Sequence, residues 1–242
     1  MHLYIAGTGL LKNHPKQLEQ CKFILESYVY VQEWQLPFIK SAERFLLDSG
    51  AFTFMKKKKE ADWDVYLRNY ADFIVEHNIK HFFELDIDYV VGYERVKQLR
   101  NTLERFVGRQ CIPVWHKQRG ADEYRSMCKD YDYVAVGGIA GQDKNPIPEK
   151  YFASLIDIAH ENGAMLHGLG YTNSIGLSKY RFDSADSTTW NVGAKYGRFC
   201  QFRNGRMRQL NTPGKRCIDR EGLMLHNYGE WLKFQKYADI YL

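Results

Sequence analysis

The sequence predicts a (β/α)8 TIM barrel, a single domain over residues 1–242. Three observations predict it. Short apolar runs of strand length alternate with segments of helical period along the whole chain. The intervening segments are long enough for crossover helices, so parallel strands and right-handed connections are expected. Run after run ends in a residue able to do chemistry, as barrel strands do at the rim that carries active sites. Length and composition agree: 242 residues is near the usual barrel size, and a 45% hydrophobic fraction supplies a large core. An open, doubly wound sheet is the alternative, because the last two strand segments are the least regular.

Leu3-Tyr4-Ile5-Ala6 reads as the first strand and Phe45-Leu46-Leu47 as the second. His81-Phe82-Phe83-Glu84-Leu85 is the third. Ile112-Pro113-Val114-Trp115 is the fourth, its proline near the strand start. Tyr133-Val134-Ala135-Val136 and Met165-Leu166-His167-Gly168 are the fifth and sixth, residues 181–186 the seventh and residues 198–202 the eighth. Between them, Trp63, Tyr66, Leu67, Tyr70, Phe73 and Ile74 recur at intervals of three and four, the pattern of a helix buried along one face. Val96, Leu99, Leu103 and Phe106 repeat it, as do Tyr151, Leu155, Ile158 and Ala159 before an Asn162-Gly163 stop. Trp231, Phe234, Tyr237 and Ala238 predict a last amphipathic helix.

The formal net charge of +5 is too small to demand a polyanion, but it is unevenly spread. Lys195, Arg198, Arg203, Arg206, Arg208, Lys215, Arg216 and Arg220 are opposed only by Asp219, which suits phosphate contacts. The run Lys56-Lys57-Lys58-Lys59 reads as a solvated face. The cysteines, Cys21, Cys111, Cys128, Cys200 and Cys217, are odd in number and widely spaced, which argues against a disulfide framework and for a reducing cytoplasm. No leader, membrane span, membrane partner or cofactor is expected, and neither a Rossmann fingerprint nor a P-loop is present.

At the strand ends stand Asp48, Asp86 with Asp88, His116, Gly137-Gly138, His167 with Gly168-Leu169-Gly170, and Asp186. In a barrel these converge on one rim. Asp48, in Asp48-Ser49-Gly50, could instead cap the following helix. Glu84, Asp86 and Asp88 are spaced to share one face of the third strand, with Phe83, Leu85 and Ile87 toward the helices. Gly137 and Gly138 would let a ligand approach the backbone.

Taken in order, these motifs resemble the guanine transglycosylases, over roughly residues 45–210. Leu47-Asp48-Ser49-Gly50-Ala51-Phe52 is similar to that family's D-S-G-G-[FY] motif, with Ala51 in place of a glycine. Val136-Gly137-Gly138-Ile139-Ala140 is similar to V-G-G-L-A, His167-Gly168-Leu169-Gly170 to M-G-V-G, and Ala185-Asp186-Ser187-Thr188-Thr189 to the segment bearing the nucleophile. The resemblance implies exchange of guanine in a nucleic acid for a 7-deazaguanine base of the preQ0 or preQ1 type. The exchange would run through a covalent aspartyl–sugar intermediate. Asp186 would be the nucleophile and Asp48 the general acid/base. Phe52, Asp86, Asp88, His116, Gly137, Gly138 and His167 would bind the base. Lys195, Arg198, Arg203, Arg206 and Arg208 would contact phosphates. Cys200, Cys217 and His226 lack the tight spacing of the family's zinc site, so no metal is expected. The short chain favours DNA over tRNA as partner. Two other readings compete: a metal-dependent barrel hydrolase using Asp86, Asp88, His116, His167 and Asp186, and a non-catalytic nucleic-acid-binding barrel.

Overall fold

Eight parallel strands curl into a closed barrel. They are β1 (His2–Ala6), β2 (Phe23–Ser27), β3 (Arg44–Asp48), β4 (His81–Phe82), β5 (Val114–Trp115), β6 (Tyr133–Val136), β7 (Met165–Gly168) and β8 (Ser184–Ser187). Their order is β4-β3-β2-β1-β8-β7-β6-β5. Phe83 bridges Ile112 in parallel across the remaining gap, where the Glu84 N–H donates to Ile112 O at 3.0 Å and the Ile112 N–H to Phe82 O at 2.8 Å. The sheet therefore closes on itself. The computed structural model describes residues 1–50, 62–139, 146–211 and 219–242.

After β2 comes α1 (Leu36–Ser41), after β3 α2 (Trp63–Glu76), and after β4 the pair α3 (Asp88–Val91) and α4 (Tyr93–Val107). Next are α5 (Ala121–Asp130), α6 (Phe152–Glu161) and α7 (Ser174–Lys179), one after each of the next three strands. After β8 come α8 (Thr189–Lys195), a hairpin of β9 (Arg198–Arg203) and β10 (Arg206–Asn211), and the long α9 (Arg220–Tyr241). Asp62 caps α2 by accepting from the Asp64 and Val65 N–H groups. Among the described residues, no helix is long and apolar enough to cross a membrane.

Alternation along each strand separates two layers. Tyr4, Phe23, Leu46, Phe83, Val114 and Ala135 fill the barrel interior. Leu47, Phe82 and Leu85 pack outward against Leu67, Tyr70, Val96 and Leu99 of α2 and α4. Leu3, Val134, Leu166 and Ala185 pack outward with Trp190, Trp231 and Phe234.

Three details differ from the sequence expectation. A strand, β2, lies where none was expected. Phe23, Ile24 and Leu25 are buried on both faces and show no alternation, and the half-apolar stretch 28–31 blurs their end. The segments expected to be the second to seventh strands are therefore the third to eighth. Residues 198–202 form no barrel strand. They pair antiparallel with β10 through Asn204-Gly205, where φ is 52° and 72°, the left-handed conformations that a two-residue hairpin turn requires. The faces after β4 are exchanged: Phe83 points into the barrel, and Glu84 points out to Arg100 of α4.

Candidate active site

Three aspartates meet at the C-terminal rim. Asp48 ends β3 beside Ser27 of β2, and its Oδ2 accepts from the Gly50 N–H at 3.1 Å. Burial pushes the Asp48 carboxyl up to about 7, the neighbouring charges of Asp86 and Asp186 push it the same way, and the Gly50 N–H opposes them. Asp62 caps α2; the helix-cap role considered for Asp48 concerns residues that follow Gly50 and lie outside the described residues.

Asp86 follows β4, and its Oδ2 lies 3.3 Å from Nε2 of His116, which follows β5. The His116 ring lies flat on Gly137, where a Cβ would come within 2.4 Å of it, so the absence of a side chain at 137 is what seats the ring. Asp186 ends β8. Its Oδ1 accepts from the Gly170 N–H at 2.6 Å and lies 3.2 Å from His167 Nε2. A cleft of about 320 Å³ opens beside this cluster, lined by Tyr89, His116, Lys117, Gln118, Gly137 and Gly138. None of the three aspartates is among its lining residues; His116, the hydrogen-bond partner of Asp86, links the cleft to the cluster.

Not every expected residue joins the cluster. Asp88 is clamped by Arg119, whose Nε donates to Oδ1 at 2.8 Å and whose Nη2 donates to Oδ2 at 2.5 Å. Arg119 Nη1 also donates to Glu84 Oε1 at 2.6 Å, and Arg100 Nε donates to Glu84 Oε2 at 2.6 Å. His167 is fully buried in the barrel interior among Tyr4, Phe83 and Tyr133, so its ring has no face open to a ligand. Phe52 lies outside the described residues. Lys195, Arg198, Arg203, Arg206 and Arg208 are exposed on and before the hairpin, and Arg203 stands opposite Arg206. His226 Nε2 meets the Cys200 carbonyl at 2.9 Å, and Cys217 lies outside the described residues.

Among the described residues, no group of three or more His, Cys, Asp and Glu is disposed to hold a metal ion. The five residues considered for a divalent site are divided into Asp86 with His116, His167 with Asp186, and Asp88 with Arg119.

Sequence reasoning missed Glu26, Arg119, Tyr133 and Ser184. Glu26 was findable: it follows Phe23-Ile24-Leu25 as Asp48 follows Phe45-Leu46-Leu47. It is buried, accepts from the Thr8 N–H at 2.5 Å and from Gln35 Nε2 at 3.1 Å, and also bonds the Thr8 hydroxyl. Burial pushes its carboxyl up to about 7 against those donors.

No protein-family model matches the chain, and no curated protein does. Solved structures do match. A protein of Aquifex aeolicus VF5 superposes with a TM-score of 0.56 at 11% identity, over 98% of this chain and 91% of the other. A mutant tryptophan synthase α-subunit from Pyrococcus furiosus gives 0.54 at 11% identity, over 98% and 96%. A putative fructose-1,6-biphosphate aldolase from Coccidioides immitis gives 0.54 at 11% identity, over 98% and 88%. At such identity the likeness is one of fold, and the fold is the TIM barrel. These comparisons overturn the resemblance to guanine transglycosylases. The barrels matched are of the tryptophan synthase and aldolase kind, and the base exchange expected on DNA or tRNA is withdrawn with the resemblance.

Proposed function

We propose that this barrel is an enzyme of the lyase or synthase kind that moves protons between aspartates on a small polar substrate. One observation carries the reading: Asp48 keeps its proton to about pH 7 beside two further aspartates, Asp86 and Asp186. An acid whose titration lies near neutrality is poised to give up its proton there. Asp48 is the general acid, donating to a substrate oxygen or nitrogen. Asp186, fixed by the Gly170 N–H, is the base that takes a proton from the substrate. Asp86 and His116 orient the substrate at the mouth of the cleft. Three carboxyl groups side by side favour a substrate that presents hydrogen-bond donors to them. The synthase subunit and the putative aldolase built on the same barrel are in keeping with this class.

The test needs no foreknowledge of the substrate. The protein is incubated in D2O with a panel of hydroxy ketones, sugar phosphates, and hydroxy and amino acids, and loss of C–H signals is followed by proton NMR. Exchange into at least one compound is expected, falling as pH rises through about 7 as Asp48 loses its proton. Asp48→Asn and Asp186→Asn should each slow it on the order of 100-fold or more. Exchange that persists in both variants, or no exchange with any compound, overturns the proposal.

A further inference from the structure

A line of hydrogen bonds runs through the barrel interior and ends on Asp186. Tyr133 Oη lies 2.5 Å from Ser184 Oγ, Ser184 Oγ lies 2.6 Å from His167 Nδ1, and His167 Nε2 lies 3.2 Å from Asp186 Oδ1. Ser184 is 1% exposed and His167 0%, so water does not compete for these partners. The Tyr4 ring stands edge-on to His167, with 6.0 Å between the ring centroids. The residues come from β1, β6, β7 and β8, and each side chain points inward by strand alternation.

A neutral imidazole allows only one ordering of the protons. An Asp186 carboxylate can only accept, so His167 carries its proton on Nε2. Nδ1 is then bare and accepts the Ser184 hydroxyl proton. Having given that proton away, Ser184 Oγ accepts from Tyr133. We infer that, with Asp186 setting the Nε2–H tautomer, Ser184 and Tyr133 are positioning residues that seat the His167 ring by a hydrogen bond to its bare Nδ1 and so keep the Nε2–H aimed at Asp186. The inference rests on the reading of Asp186 as the base, and it assigns Ser184 no role as a nucleophile.

The tautomer is measured directly on the whole protein by NMR of ¹⁵N-labelled histidine, without substrate. In the native protein, His167 is expected with a protonated Nε2 and a bare Nδ1. Ser184→Ala leaves Nδ1 without its donor and should shift the Nδ1 ¹⁵N resonance and slow the deuterium exchange about 10- to 100-fold. Ser184→Thr, which keeps a hydroxyl, should restore both. A protonated Nδ1 in the native protein overturns the inference whether or not the variants fold, and so does an unchanged Nδ1 resonance with unchanged exchange in Ser184→Ala. Failure of the catalytic reading shows elsewhere, as exchange that survives Asp186→Asn.

Discussion

Asp48 depends on how closely its neighbours are built. Gly50 donates its N–H to the Asp48 carboxyl and sits at φ +75°, and a Cβ there would lie 2.4 Å from Val29 Cγ2 and 2.7 Å from Ser27 Oγ. Both the left-handed backbone and the lack of space exclude a side chain. Gly50→Ala is expected to cost about 2–4 kcal/mol in chemical denaturation. A cost within the noise of a surface substitution would show that this turn does not fix Asp48. At this scale the sequence was readable where a residue announced its own place. Asp48, Asp86 and His116 each follow a largely apolar run, Asp186 follows the mostly polar Asp183-Ser184-Ala185, and all four reach the rim. Ser184 and Tyr133 announce nothing, because their importance comes from each other across the barrel. Glu84 was misplaced for a different reason: alternation was phased from Asp86 back along the strand, whereas Phe82 faces out and Phe83 in, so Glu84 faces out again.

The segment from β4 to α3 and the turn after β5 are joined by charge. Arg119, with its side chain fully buried, binds Glu84 and Asp88 together and lies 4.4 Å from the Tyr93 ring centroid. Glu84 Oε1 also accepts from the Val114 N–H at 2.8 Å, which fastens β5 to the end of β4. Asp86 stands between Glu84 and Asp88, and His116 stands three residues before Arg119. The network therefore sets the spacing of the pair that borders the cleft. Removing Arg119 leaves Asp88 without compensation and Glu84 with Arg100 alone, so Arg119→Met is expected to lose about 3–5 kcal/mol. Arg119→Lys should recover little, because an ammonium cannot make the two-pronged contact to Asp88. Urea titrations of both variants check this, and full recovery by lysine would contradict it. The expected helices at this scale match the observed ones, since long amphipathic periods survive local ambiguity. Short strands do not: β2 went unseen, and the Asn204-Gly205 turn, the surest hairpin signal in the chain, was passed over in favour of an eighth barrel strand.

For the whole molecule, the buried acids set the response to pH. Asp48 and Glu26 are both pushed up to about 7, chiefly by burial, whereas in the unfolded chain each titrates near 4. Folding therefore takes up a proton at each site as pH rises between those values. The native state binds more protons than the unfolded one, so stability falls as pH climbs from about 4 toward about 7 and levels off above. The melting temperature should be higher near pH 5 than near pH 8, and Asp48→Asn with Glu26→Gln should flatten that slope. A melting temperature that rises over the same interval would refute the assignment. The barrel as a class was legible because its evidence is spread over the chain, so one missed strand and one surplus strand left the count at eight. The chemistry was not legible in the same way. A resemblance carried by short motifs names an activity only as far as the comparisons support it, and here they support the fold.

The joint between β1 and β8 has a consequence for how the molecule comes together. His2 pairs with Ser184 and Tyr4 with Asp186, so this seam unites segments that lie about three quarters of the chain apart. Closing so long a loop costs roughly 5 kcal/mol in chain entropy before any contact repays it. Local pairings such as β2 with β3 carry no such delay. A partly assembled chain can thus carry Asp48 in place while Asp186 is still adrift. Asp186 joins Asp48 and Asp86 at the rim only when this seam closes, so the rim cluster is complete only when the ring is.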